Sequence, residues 1–204
     1  MRICFKMFWN KYASVKIIMN TAFEGDTFIA KELIKLRDRF GLTHCIETGS
    51  QYGSTTIELA AIFENVITIE ADDAYFGKAK ERLSELKNVN VLFGMSEEVL
   101  LKLFFSDNVL YYLDAHGDRI GGCPLKEELE IIASKGHKNV CIAIHDFKVP
   151  GKNFGFDTFD YELCYEEIEP YLKMVYPDGF DYHYNEEADG ARQGIAYFYP
   201  IKKI

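Results

Sequence analysis

Apolar residues fall along this chain in two rhythms that take turns. Short unbroken apolar runs of about five residues alternate with longer stretches in which apolar side chains return every three or four positions. The first rhythm marks a strand buried on both faces and the second an amphipathic helix. Their alternation predicts a parallel sheet covered by helices. The expected order is helix 27–39, strand 43–48, helix 54–63, strand 65–70, helix 75–86, strand 89–93, helix 97–104, strand 109–114, helix 124–135 and strand 140–145. In the first helix Phe28, Ile29, Leu33, Ile34 and Leu36 repeat at helical spacing, with Asp26 or Thr27 as cap and Gly41 as stop.

Beyond residue 145 the pattern changes. Residues 149–158 are rich in Gly, Asn, Phe and Lys and read as a loop, and 161–174 as a helix containing or interrupted by Pro170. Residues 180–184 and 195–199 alternate in polarity across a polar, glycine-containing connection, which predicts an antiparallel hairpin. The outline is five parallel strands closed by that hairpin.

Composition narrows this picture. A length of 204 residues suits one domain, and 48% hydrophobic with 27% charged residues is the balance of a folded globular chain. A net charge of -9 argues against nucleic acid as a partner, because a phosphate backbone is bound through Lys and Arg. Cys4, Cys45, Cys123, Cys141 and Cys164 are scattered, with no CxxC pair or zinc spacing, so they read as reduced thiols in a cytoplasmic setting. No apolar stretch is long enough to span a bilayer. Residues 1–24 are basic and partly apolar but broken by Lys6, Lys11 and Lys16, and read as an N-terminal extension or lid. Residues 25–204 form the single domain.

The candidate chemistry sits at strand ends. The first strand runs through Glu47 and Thr48 into Gly49-Ser50-Gln51-Tyr52-Gly53, and Ser54, Thr55 and Thr56 open a helix. Gly49 and Gly53 permit a tight turn close to a ligand, and the helix start offers free amides. A carboxylate beside such a turn disfavours a pyrophosphate and favours a cationic ligand, such as the sulfonium and ammonium of S-adenosylmethionine. The second strand ends at Glu70-Ala71, where a carboxylate can hold ribose hydroxyls. The third ends in Gly94-Met95-Ser96, a small turn fit to line an adenine, and the fourth at Asp114.

With ETGSQYGSTT, VITIEADD, NVNVLFGMS and VLYYLDAH, residues 25–200 resemble a class I S-adenosylmethionine-dependent methyltransferase. YLDAHGD, CPLKEELEIIA and IAIHDFKVPG look like the FkbM-like and macrocin-type sugar methyltransferases. The resemblance implies a Rossmann-like, doubly wound, mostly parallel sheet ending in an antiparallel hairpin. It also implies cofactor contacts from Glu47, Gly49, Ser50, Gly53, Ser54, Thr55, Glu70, Ala71, Met95, Ser96 and Asp114. Glu47, Gly49 and Ser54 would meet the methionine part, Glu70 the ribose, and Met95 and Ser96 the adenine. The acceptor it implies is a sugar, glycan or other small polyhydroxylated molecule.

Asp114 and His116 end the fourth strand and His145 and Asp146 the fifth, so neighbouring strands bring the catalytic candidates together. Asp114 and Asp146 suit Mg²⁺ or another divalent cation that would hold acceptor hydroxyls. A metal-free site, with His116 or His145 taking the proton and an Asp orienting it, is the alternative. The resembling family places two adjacent acid or amide residues after the fifth strand, whereas here His145 and Phe147 flank Asp146.

Phe154, Phe156, Phe159, Tyr161 and Tyr165 form either an acceptor-stacking wall or packing, including a homo-oligomer contact. Arg192 lies in the hairpin loop, and Asp72-Asp73 read as a strand end or helix cap. Two other functions stay open: a nucleotide-binding Rossmann oxidoreductase, disfavoured by the missing GxGxxG and by Glu47, and a non-catalytic cofactor-binding protein.

Overall fold

The computed structural model describes residues 21–104, 107–116 and 122–201. Its centre is a seven-stranded sheet: β1 His44–Thr48, β2 Asn65–Glu70, β3 Val89–Phe93, β4 Val109–Leu113, β5 Val140–Ile144, β6 Phe180–Tyr184 and β7 Ala196–Pro200. The spatial order is β3-β2-β1-β4-β5-β7-β6, with the first five strands parallel and β7 antiparallel to both neighbours. The hairpin therefore closes the sheet as its pattern predicts, with its second strand seated inside.

Among the described residues six helices cover the faces: α1 Thr27–Phe40, α2 Ser54–Ile62, α3 Asp73–Arg82, α4 Ser96–Lys102, α5 Leu125–Ser134 and α6 Tyr165–Val175. Strand side chains alternate between two cores. Cys45, Leu110, Tyr112, Cys141, Ala143 and Tyr197 pack with α1 and α2, while Ile46, Tyr111, Leu113, Ile142, Ile144 and Phe198 pack with α4, α5 and α6. Strands buried on both sides cannot show polar alternation, which is why β4 and β5 appear as unbroken apolar runs.

Local chemistry sets the element ends. The Asp26 carboxylate accepts from Phe28 N at 2.8 Å to start α1, and Gly41, with φ of 65°, ends it. Asp72 accepts from the amides of Ala74 and Tyr75, so α3 begins two residues before the expected 75 and stops at Arg82. α6 begins at Tyr165, four residues after the expected start, because Leu163 N donates to Asp157 O and holds that stretch in a loop. It contains Pro170 without breaking.

Among the described residues Cys45, Cys123, Cys141 and Cys164 are free thiols, and no helix is long and apolar enough to cross a membrane. Cys4 and residues 1–20 of the expected N-terminal extension or lid lie outside the described residues. The remainder of that extension is visible: Ala22–Gly25 forms a short 3-10 turn ahead of α1.

Candidate functional site

Strand register assembles the site. Thr48 is level with Leu113, and Leu113 with Ile144, so the carboxyl ends of β1, β4 and β5 finish abreast. Asp114 N donates to Thr48 O at 3.1 Å and His145 N to Leu113 O at 3.2 Å, which carries the alignment one residue past the strands. The chain winds outward in opposite directions from β1 and β4. Between these two strands lies the crevice where open parallel sheets bind ligands.

The turn after β1 is built on buried polar contacts. Glu47 is 1% exposed and accepts from the hydroxyls of Thr56 and Thr68, both at 2.5 Å. Ser50 Oγ lies 2.6 Å from Thr68 Oγ1; with the Thr68 proton given to Glu47, the Ser50 hydroxyl supplies the proton of that second contact. Burial pushes the Glu47 carboxyl up to about 7, against the lowering pull of the two threonines. Gly49 has φ of 85°, and a Cβ there would stand 2.8 Å from the Asp114 carbonyl carbon. Gly53, with φ of 73°, caps α2.

Glu70 ties the next turn to this one. Its Oε2 accepts from Gln51 N at 2.7 Å and its Oε1 from Asp72 N at 2.8 Å. Each carboxylate oxygen keeps a further lone pair for a ligand hydroxyl. Ser54 Oγ accepts from Arg82 at 2.8 Å, and Thr55 Oγ1 accepts from Phe23 N at 3.0 Å. Met95 caps α4, Ser96 is buried at its first position, and Ala71 is half-buried after β2. The cofactor candidates of the sequence thus lie at or just beyond the carboxyl ends of β1 to β4, with Glu47, Ser50 and Ser96 buried there and the hydroxyls of Ser50, Ser54 and Thr55 already engaged by the protein.

The catalytic candidates also meet. His145 Nδ1 is 3.1 Å from Asp146 Oδ2 and 3.5 Å from Asp114 Oδ1. His116 Nε2 lies 3.7 Å from Asp146 Oδ2 and 3.8 Å from Asp114 Oδ1. Burial alone would discharge His145, but the charges of Asp146 and Asp114 outweigh it and hold the imidazole pKa well above its usual value. Asp146 is desolvated too, yet the His145 charge keeps its carboxyl below the ordinary range. Asp146 has φ of 52°, a conformation costly for a residue with a Cβ and typical of functional sites.

Three acids in or beside this cluster escaped the sequence reading. Glu24, from the turn before α1, brings a carboxylate oxygen within 4.8 Å of ligand atoms on His145 and Asp146. Asp157, held by its amide on Asp146 O at 2.9 Å, has its carboxyl raised by burial and by Asp146. Glu128 of α5 is 1% exposed beside the hydroxyls of Ser96 and Thr48, and burial raises its pKa. The last was detectable: Leu125, Glu128, Leu129 and Ile132 share one helical face, and a carboxylate in an apolar stripe is a signal.

The aromatic wall divides. Phe159 meets the His116 ring edge-on at 6.3 Å between centroids, whereas Tyr165 stacks on Tyr182 at 4.7 Å and Tyr161 lies under Lys126. Arg192 is exposed on the hairpin loop. His137 approaches the Tyr111 hydroxyl, and His183 sits between Glu32 and Tyr199, both away from this cluster.

No family model and no curated protein matches the chain. Solved structures do. An O-methyltransferase from Bacillus cereus in complex with SAH is 14% identical, covering 92% of this chain and 90% of its own, with a TM-score of 0.64. The O-methyltransferase TomG from Streptomyces achromogenes, involved in tomaymycin synthesis and solved with SAM, is 14% identical over 83% of this chain and 78% of its own, with a TM-score of 0.60. A precorrin-6y C5,15-methyltransferase from Geobacter metallireducens is 12% identical over 84% of this chain and 85% of its own, with a TM-score of 0.55. The chain therefore has the Rossmann-like fold of these methyltransferases, a seven-stranded and mostly parallel sheet that ends in an antiparallel hairpin.

Proposed function

We propose that the protein is an S-adenosylmethionine-dependent O-methyltransferase acting on a small polyhydroxylated acceptor such as a sugar or glycan. One observation carries the reading: at the β1–β4 crevice, the Gly49 turn packs directly on the backbone of Asp114, the first residue of the acid–histidine cluster. A donor bound along Glu47, Gly49 and Glu70 would then present its methyl group to groups suited to activating a hydroxyl. The fold shared with methyltransferases and the sequence resemblance to sugar methyltransferases support it; fold by itself does not fix the acceptor.

When bound, S-adenosylmethionine supplies an already activated methyl group on a sulfonium. What remains for the chain is positioning and one proton. Transfer to an acceptor hydroxyl would form a C–O bond as the S–CH₃ bond breaks to a neutral thioether, and would leave the hydroxyl proton for a base of this chain. His145, held as an imidazolium by two carboxylates, is already charged and acts as an anchor for them. His116 is the better acceptor: its side chain is 1% exposed, and Nε2 has no hydrogen-bond partner. Phe159 against its ring limits water on that side.

The residues also fit a divalent cation. Asp146 Oδ1 and His116 Nε2 are buried without hydrogen-bond partners, and such atoms carry a cost that a bound cation would remove. Asp114 and Asp146 would hold it, and it would lower the pKa of an acceptor hydroxyl. The same reading takes the protein as cytoplasmic and leaves room for a homo-oligomer.

Calorimetric titration with S-adenosylmethionine, S-adenosylhomocysteine and NAD tests the donor, and a labelled-methyl assay over sugar acceptors tests the reaction. Binding of both adenosyl ligands and not NAD is expected. Failure of folded protein to bind either adenosyl ligand overturns the reading, and NAD binding alone would favour an oxidoreductase.

A further inference from the structure

The turn Ala22–Gly25 is held in place more firmly than its length requires. Phe23 and Glu24 have φ of 50° and 52°, the left-handed region that residues with a Cβ avoid. Such a residue persists only when its surroundings enforce it. Here they do. Phe23 N donates to Thr55, the Phe23 ring packs on Tyr112 at 5.6 Å, and Ala191 N donates to Glu24 O at 3.1 Å. Gly190 allows that last approach, since a Cβ there would stand 2.5 Å from the Gly25 carbonyl carbon. Asp189 also grips Thr27 through its amide and hydroxyl.

The product of this arrangement is the placement of the Glu24 side chain. It is half-buried, its pKa is raised first by desolvation, and it feels His145, Asp146, Asp114 and Asp157. Ligand atoms of Glu24, His145 and Asp146 all lie within 4.8 Å of one another. Two donors on opposite sides of an ion at about 2.3 Å would be about 4.6 Å apart, so small side-chain movements suffice to enclose one. An independent feature points the same way. His145 is 1% exposed and its Nε2 has no hydrogen-bond partner, and Asp146 Oδ1 also lacks one.

We infer that Glu24, His145 and Asp146 bind a divalent first-row transition cation such as Mn²⁺, with the N-terminal turn supplying one ligand. The inference rests on the reading of this pocket as a cation site and adds to it a ligand from outside the strand ends; the ion takes the place of the His145 proton, which is released on binding. An imidazole in the set favours Mn²⁺ or its neighbours over Mg²⁺, which prefers oxygen donors.

Binding of Mn²⁺ alone, followed by loss of the free-ion electron paramagnetic resonance signal, tests this without donor or acceptor. The wild-type protein should bind Mn²⁺ in preference to Mg²⁺ and show an imidazole nitrogen coupling that disappears in His145→Ala. Glu24→Gln should weaken Mn²⁺ binding on the order of tenfold or more. Gly190→Ala, which displaces the Glu24 backbone and leaves every carboxylate in the sequence, should weaken it in the same direction. Glu64→Gln, at an exposed position just beyond the end of α2, is the control and should bind as wild type; thermal melts establish that each variant is folded. Binding unchanged in Glu24→Gln and Gly190→Ala but lost in Asp114→Asn and His116→Ala would place the ion among Asp114, His116 and Asp146. That would overturn this inference and leave the cation of the proposed function standing. No Mn²⁺ binding by the wild type would remove both, while donor titration would still report on methyl transfer.

Discussion

Gly49 packs on the carbonyl group of Asp114, with room for no side chain between them: an ideal Cβ on Gly49 would lie 2.8 Å from the Asp114 carbonyl carbon and 3.1 Å from Ala115 Cα. The contact joins the turn after β1 to the end of β4, the two segments on which donor binding and chemistry are proposed to rest. Backbone cannot rotate away as a flexible side chain can, so any added atom moves one of the two segments.

Gly49→Ala should therefore destabilise the protein by about 3 kcal/mol, combining a φ of 85° with a backbone collision, and abolish measurable binding of S-adenosylhomocysteine. Gly41→Ala is the comparison. Gly41 also has positive φ, 65°, but a Cβ there meets nothing within 4 Å. It should cost only about 1 kcal/mol and leave ligand affinity unchanged. Equal effects of the two in thermal melts and calorimetry would mean that the β1–β4 junction is not the sensitive point.

Glu70 makes a second prediction because its two oxygens serve two different turns. Glu70→Gln replaces one acceptor oxygen by a donor that faces a backbone amide, that of Gln51 or Asp72. Hydrogen bonds to a charged group contribute about 1.5–3 kcal/mol. The affinity for S-adenosylhomocysteine should fall roughly tenfold to hundredfold, with a lowered melting temperature. An unchanged dissociation constant would show that the ribose is held elsewhere.

Much of this architecture is legible in the sequence because parallel strands leave a plain record. Val109–Leu113 and Val140–Ile144 are apolar throughout since both faces are covered, and each passes directly into its site residues, Asp114 and His145. Knowing the strand ends was enough to bring those residues together. Glu24 left no such record. It reaches the site through two left-handed residues that are not glycines and through Gly190, far along the chain, so neither local propensity nor periodicity encodes it. Asp157 sits in an irregular loop fixed by one backbone bond to Asp146. The sequence starts α6 too early because Tyr161–Cys164 have helix-like spacing but make their backbone bonds to the loop before it.

His116 and His145 should separate in kinetics. His116→Gln removes the proposed base while keeping a polar side chain of similar reach, so kcat should fall by roughly 10²–10⁴-fold with little change in donor affinity. His145→Gln removes the positive charge between Asp114 and Asp146, which leaves carboxylates facing one another. That variant should melt at lower temperature as well as lose activity. If His116→Gln retains wild-type kcat, the proton leaves by another route.

The pH dependence of stability should carry the signature of Glu47. Its carboxyl sits at about 7 in the folded protein, against an unfolded value of 4.5, chiefly because burial disfavours the charge. The folded state therefore holds this proton more tightly than the unfolded chain does. The resulting stabilisation is complete below pH 4.5 and is lost as pH rises through about 7. At about 1.4 kcal/mol per unit, the span corresponds to on the order of 3 kcal/mol. Glu47→Gln keeps the shape and remains neutral, with the Thr56 and Thr68 hydroxyls still able to donate to its carbonyl oxygen. Other groups, His145 above all, add their own pH dependence, so the observable is the difference between the two proteins. Between pH 5 and 8 the wild type should lose stability relative to Glu47→Gln, and the variant should be the more stable of the two at pH 8. Parallel denaturation curves across that range would mean that Glu47 is ionised in the folded protein throughout. If S-adenosylmethionine binds with its ammonium near Glu47, saturating ligand should remove most of the difference, because a nearby positive charge brings the carboxyl back down.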